Sequence, residues 1–140
     1  MNGTLLAFDF GEKRIGVAVG EGLLKQAHPL ATIRSEKNDE RFATIGKLIA
    51  EWQPVALVVG KPLAPDGSAH DMTARAARFA NQLRGRFGLP VQEIDERFTS
   101  ADAGSRLHEA GLNGRQAKNH IDSVAAQLIL QGYFDVASPL

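Results

Sequence analysis

The chain contains no cysteine, which excludes a disulfide framework and any thiolate metal site, so a bound metal would rest on oxygen or imidazole ligands. It has no excess of either charge: 16 Lys and Arg stand against 16 Asp and Glu. A generic polycation that holds nucleic acid by overall charge is thereby excluded. No apolar run approaches the ~20 residues that span a bilayer, and the N-terminus lacks the apolar stretch of a secretory signal. A cytoplasmic location and no membrane partner are the expectation. Gly-x-Gly-x-x-Gly, Walker-type and nucleophile-elbow patterns are absent. The four histidines, His28, His70, His108 and His120, lack metal-motif spacing. Linkers, internal repeats and low-complexity tracts are missing as well.

What is present fits one ordinary domain, expected to span residues 1–140, with length enough for a real core. The 44% hydrophobic and 23% charged fractions are those of a globular protein. Charge is uneven along the chain. Residues 61–90 carry five basic and two acidic side chains, residues 91–140 four basic and seven acidic. A basic surface beside an acidic centre suits an enzyme that acts on a polyanion through bound cations.

The stretch from Leu5 to Val19 reads as a β-hairpin, two apolar runs around a polar turn with Gly11 at the bend. Asp9 interrupts the first run near its end. Buried there without a partner it would cost several kcal/mol, so it requires a metal, a cation or hydrogen bonds; a turn-capping Asx role is the plainer alternative. Pro29 to Arg34 reads as a third strand closing an antiparallel meander. Phe42, Ile45, Ile49 and Trp52 recur at helical spacing, with Asn38 or Asp39 as the N-cap. Val55 to Val59 is a continuous apolar run, the pattern of a buried parallel strand. After a long loop from Lys61, the residues Met72, Ala76, Phe79, Leu83 and Phe87 mark a second helix whose other faces carry Arg75, Arg78, Arg84 and Arg86. Val91 to Asp95 is a fifth strand. Thr99 or Ser100 caps an expected third helix reaching Ala110, with Gly111 at its end. A polar stretch from Leu112 to Asn119 precedes a last helix carrying Ile121, Val124, Ala125, Leu128 and Ile129. The order βββαβαβαα implies an α/β fold, a mixed sheet with helices on its faces.

Three acidic positions stand where an element ends beside apolar sequence: Asp9, the pair Asp95 and Glu96, and Asp122 in the expected first turn of the last helix. Ligands of open α/β sheets gather at the carboxyl ends of strands, where Asp9 and Asp95 fall. If the three positions converge they form an all-oxygen site suited to Mg²⁺ or Mn²⁺. Two such ions ~3.5–4 Å apart activate a water and stabilise the leaving oxygen of a phosphodiester. Each acid also has a structural reading: an ion pair with Arg97 for Asp95 or Glu96, the helix macrodipole for Asp122. Strand alternation sends Asp95 and Glu96 to opposite faces, so only one meets the others.

The motifs Asp9-x-Gly11-x-Lys13-Arg14-Ile15-Gly16-Val17-Ala18, Val59-Gly60-x-Pro62, Asp95-Glu96-Arg97-x-x-Ser100 and Lys118-x-x-x-Asp122-x-x-Ala125-Ala126 resemble those of the YqgF/RuvX family. That family comprises bacterial RNase H-like pre-16S rRNA nucleases once regarded as Holliday-junction resolvases. The resemblance implies an RNase H-like, five-stranded mixed sheet, three strands antiparallel and two parallel. It also implies a nuclease site using Mg²⁺ or Mn²⁺, with Asp9, Asp95, Glu96 and Asp122 as catalytic candidates and Asp9, Glu96 and Asp122 as metal ligands. RuvC-type relatives carry a Glu at the end of the fourth strand, where this chain has Gly60-Lys61-Pro62, so the fifth-strand pair would supply that ligand. Lys13, Arg14, Lys61, Arg75, Arg78, Arg97 and Lys118 are the substrate-binding candidates. The implied partner is pre-rRNA, within a ribosomal precursor particle, bound by a monomer or a homodimer. Ser100 stands where many members carry Thr.

Other readings remain open at this point. A resolvase cutting branched DNA would use the same site and work as a dimer. An actin-like kinase would share the phosphate-binding hairpin but needs a second lobe. A non-catalytic RNA- or ribosome-binding module would keep the acids for stability.

Overall fold

The computed structural model describes residues 3–64, 66–96 and 114–137, with the side chains of 114–120 and 137 left aside. Its elements are β1 (Thr4–Phe10), β2 (Ile15–Glu21), β3 (Gln26–Ile33), α1 (Asn38–Trp52), β4 (Ala56–Lys61), α2 (Asp71–Phe87), β5 (Val91–Asp95) and α3 (Gly114–Ala137). The strands form one sheet in the order β3-β2-β1-β4-β5. β1, β2 and β3 pair antiparallel, while β4 joins β1 and β5 joins β4 in parallel. This is the mixed sheet expected from the sequence. Among the described residues no helix is long and apolar enough to cross a membrane.

Alternation along β1 divides the core. Leu6 and Phe8 point to one face and pack with Phe42, Ile45, Phe79 and Leu83 of α1 and α2. Leu5 and Ala7 point to the other and meet Ala126, Ile129 and Leu130 of α3. β4 contributes to both, Leu57 and Val59 on the first face, Ala56 and Val58 on the second. That double burial explains its unbroken apolar run.

Helix α3 reaches the sheet over a stripe of small residues in β2, namely Gly16, Ala18 and Gly20. A Cβ on Gly16 would stand 1.9 Å from the backbone oxygen of Asp122, and one on Gly20 2.8 Å from the Phe134 ring. The helix therefore lies where only bare backbone can admit it. Two glutamines fix its position along the sheet: Gln131 Oε1 accepts from the Ala27 N–H at 3.1 Å, and Gln127 Nε2 donates to the Ala27 carbonyl at 3.0 Å.

Several local expectations are corrected. β3 begins at Gln26 rather than Pro29; as an edge strand it tolerates the proline, which cannot donate to a ladder. Val55 lies outside β4 and is exposed. The N-cap of α1 is Lys37, without a side-chain cap bond, in place of Asn38 or Asp39. Ser35 organises the entry instead, its hydroxyl accepting from the Lys37 N–H and donating to Glu40. At α2, His70 takes the cap: its Nδ1 accepts from the Met72 N–H, and Thr73 accepts from the His70 N–H. The largest correction is that α3 begins at Gly114, so Asp122 lies two turns inside the helix and not in its first turn. Residues 114–120 lack apolar periodicity, so no sequence pattern signals the extension; residues such as Arg, Gln and Lys nonetheless favour helix. The macrodipole reading of Asp122 falls with it, because that effect fades beyond the first turn. The helix expected from Thr99 or Ser100 to Ala110, and Gly111, lie outside the described residues.

Candidate carboxylate site

Asp9 follows Leu5 and Ala7 onto the α3 face of the sheet. Its cross-strand partner is Gly16, the residue against which the Asp122 backbone rests. One glycine thus brings the helix carboxylate to the strand carboxylate. A second glycine serves the third acid. A Cβ on Gly60 would stand 2.7 Å from both Cγ and Cδ of Glu96 and 2.5 Å from Ile129 Cδ1. The Glu96 side chain lies across that bare backbone and brings its carboxyl to that of Asp9, close enough to hold the Asp9 proton. Ile94 packs on the α3 face, so alternation sends Glu96 to that face and Asp95 to the other, in register with Lys61.

The acidity of Asp9 records this company. Its carboxyl is held well above the usual carboxylate range, first by burial, then by the hydrogen bond to Glu96, then by the charges of Glu96 and Asp122. Asp122 has a cation of its own: Arg14 Nε lies 3.2 Å from Oδ2. That oxygen is buried and receives no well-directed hydrogen bond from any described residue. The three carboxyls approach one another, although among the described residues no group of three or more acids and histidines stands in metal-holding geometry.

The proposed substrate cations divide between the two faces. Arg14 is at the acids, Lys13 is exposed on the same turn and Lys61 is exposed at the end of β4. Arg75 and Arg78 are not brought to the acids. They line a groove of about 600 Å³ between α1 and α2, on the opposite face. There Arg75 is held by Glu12 at 2.5 Å and Asp71 at 3.3 Å. Arg97 and the side chain of Lys118 lie outside the described residues.

Sequence reasoning missed Arg41. It is buried, and its guanidinium donates to the carbonyls of Gly11 (2.8 Å), Glu12 and Ser35. It also lies 5.6 Å from the Phe10 ring centroid. Burial lowers its pKa, with Glu36 acting against the shift. Arg41 therefore ties the β1–β2 turn, which carries Arg14, to the start of α1. Its place four residues before Ile45, on the apolar face, was the available signal.

A profile of the RuvX family, described as Holliday junction resolvase, matches residues 3–136. The chain belongs to the RuvX family. It is 60% identical over 133 residues to a Dechloromonas aromatica protein named "Putative pre-16S rRNA nuclease", a match covering 95% of this chain and 91% of that one. Proteins of the same name from Methylobacillus flagellatus (57% over 133 residues; 95% and 91% covered) and Chromobacterium violaceum (58% over 131 residues; 93% and 96% covered) are similarly close. Among solved structures, the RuvX chain resembles Thermus thermophilus RuvC in complex with a Holliday junction substrate, with TM-score 0.59, 15% identity, and 97% and 96% of the two chains covered. It also resembles fowlpox virus resolvase in complex with Holliday junction DNA, with TM-score 0.60, 15% identity, and 97% and 99% covered. At such identities the likeness is one of fold, and the fold is the RuvC-like, RNase H-like one that the motifs imply.

The donor set of this RuvX chain suits a hard divalent cation. Its oxygens come from three carboxyls, one of which has a buried oxygen with no hydrogen bond from the described residues, and Asp9 resists ionisation while it shares its surroundings with two other acids. A bound cation would relieve both conditions at once.

Proposed function

We propose that this protein is a metal-dependent phosphodiester nuclease acting on precursor 16S rRNA, with Asp9, Glu96 and Asp122 holding Mg²⁺ or Mn²⁺. The observation that carries the reading is the Glu96 carboxyl reaching Asp9 across Gly60, with Asp122 near enough for its charge to raise the Asp9 pKa. The names of relatives at 57–60% identity support the substrate class. A divalent cation supplies the charge that activates a water and stabilises a leaving oxygen. Asp9 and Glu96 bind and orient it from the strand ends, and Asp122 does so from α3. Asp95, on the other face, has the lesser, positioning part. Lys13 and Lys61 meet the phosphate backbone near the site. Soluble action in the cytoplasm on a ribosomal precursor follows from the same reading.

A resolvase activity is the second reading, favoured by the family description and by the two junction-bound structures of like fold. The two readings separate when single-stranded RNA carrying a precursor end and a four-way DNA junction are cut side by side with Mg²⁺ or Mn²⁺. RNA cleavage is the expected result. Asp9→Asn and Glu96→Gln each lower it on the order of a hundredfold or more, while Asp95→Asn has a clearly smaller effect. Thermal melts of each variant accompany the assay. Full activity in a folded Asp9→Asn protein would sink the assignment.

A further inference from the structure

Arg14 and Asp122 form an ion pair unlike the others among the described residues. The Asp122 oxygen that faces Arg14 Nε is itself buried and takes no directed hydrogen bond from any described residue, whereas the Arg14 side chain is 37% exposed. The turn that carries Arg14 is fixed from behind: Arg41 holds the carbonyls of Gly11 and Glu12, and Arg75 holds the Glu12 side chain. Its tightness is set by Gly11, where a Cβ would stand 2.6 Å from the Arg14 oxygen. The backbone is therefore pinned, and the half-exposed Arg14 side chain is the part with room to move. Two cations cannot share one buried carboxylate oxygen without strong repulsion at such short range.

We propose that Arg14 is the resident counter-cation of Asp122: it competes with a divalent cation for Oδ2, and once released it turns to a substrate phosphate. This rests on the reading of Asp9, Glu96 and Asp122 as a cation site. A guanidinium is suited to both roles, since its planar fork matches carboxylate and phosphate alike. Lys13 is the natural comparison. It is a neighbouring cation on the same turn and has no ion pair with any described residue, so it meets a bound divalent cation only through the general field, whatever its contact with the RNA.

The test is a titration with Mn²⁺ itself, followed by the resonance of the free ion, on the wild type and on Arg14→Gln, Lys13→Gln and Asp9→Asn. Arg14→Gln is expected to bind Mn²⁺ about fivefold more tightly, the equivalent of one partly exposed ion pair. Lys13→Gln is expected to stay close to the wild type. In cleavage, Arg14→Gln lowers the Mn²⁺ concentration for half-maximal rate and raises KM for RNA, two effects of opposite sense that a merely structural arginine would not produce. Unchanged or weaker Mn²⁺ binding by Arg14→Gln, equal tightening by Lys13→Gln, or an unchanged KM overturns the proposal. If the wild type binds Mn²⁺ no better than Asp9→Asn does, the cation site falls and the proposal with it. If binding needs Asp9 but ignores Arg14, the proposal alone falls.

Discussion

Asp9 shows how one side chain inherits its chemistry from its neighbours. Burial, the Glu96 hydrogen bond and two nearby charges all favour its protonated form, so the folded chain holds that proton more tightly than the unfolded chain does. Linkage then gives the sign. With no metal present, the Asp9 contribution to stability is best below the unfolded carboxylate value of about 4. It declines as pH rises from there through the raised folded value, and beyond it the penalty is complete and constant. Melting the wild type and Asp9→Asn across that range without metal should show the variant gaining on the wild type as pH rises, and keeping the advantage at neutral pH. Mg²⁺ should narrow the gap by stabilising only the wild type. A pH-independent difference between the two proteins would contradict this account of Asp9.

At the scale of elements, the acids are assembled by glycines that let elements touch. Gly16 receives α3, and Gly60 receives the Glu96 side chain. At Gly16 the obstacle to a Cβ is the Asp122 backbone, which cannot swing aside, so Gly16→Ala must lift the helix. A loss of roughly 1–3 kcal/mol in denaturant unfolding is expected, together with weaker Mn²⁺ binding, because the lifted helix carries Asp122 away from Asp9. At Gly60 the obstacle is the far part of a flexible glutamate and an isoleucine methyl, so Gly60→Ala should cost less stability yet still displace Glu96. Gly85 in α2 is the control. A Cβ there meets nothing within 4 Å, so Gly85→Ala should gain about 0.5–1 kcal/mol from helix propensity. Equal losses at Gly16 and Gly85 would mean that the close contact of α3 and β2 carries no special weight.

For the whole molecule, the balance of 16 basic and 16 acidic side chains is also a local balance, since several arginines are already engaged. Arg14 faces Asp122, Arg75 faces Glu12 and Asp71, and Arg84 faces Glu93. Arg41 is buried on carbonyls, and Arg86 lies over the Phe42 ring. Of the described substrate candidates, Lys13, Lys61 and Arg78 have no ion pair with another described residue. Without a divalent cation, when Arg14 stays on Asp122, binding to single-stranded RNA should therefore show a shallow salt dependence, with a logarithmic slope of about −2 if those three meet phosphates. Arg78→Ala should flatten the slope by about 0.7 if the α1–α2 groove also meets the strand. Arg75→Ala should change it less, because that side chain is already committed to two carboxylates. Competition binding across a salt series reads both. A steep slope with preference for a four-way junction would favour the resolvase reading.

The local periodicities determined most of the architecture by themselves. Apolar alternation and helical spacing placed the five strands, α1 and α2, because burial on one face imposes those periods. The same alternation stated in advance that Asp95 and Glu96 must part company. The positions of the candidate acids were legible too, as charges set into apolar sequence. Tertiary structure decided which of them meet. That Glu96 is the one to reach Asp9 depends on Gly60 and on the parallel pairing of β4 with β5, a long-range contact absent from any local pattern. That Asp122 arrives from within a helix depends on the small-residue stripe of β2 and on Gln127 and Gln131 gripping β3. The separation of Arg75 and Arg78 from the acids was hidden for the same reason. A sequence displays the charge of an arginine, but the face of the sheet on which that charge is spent is set by packing.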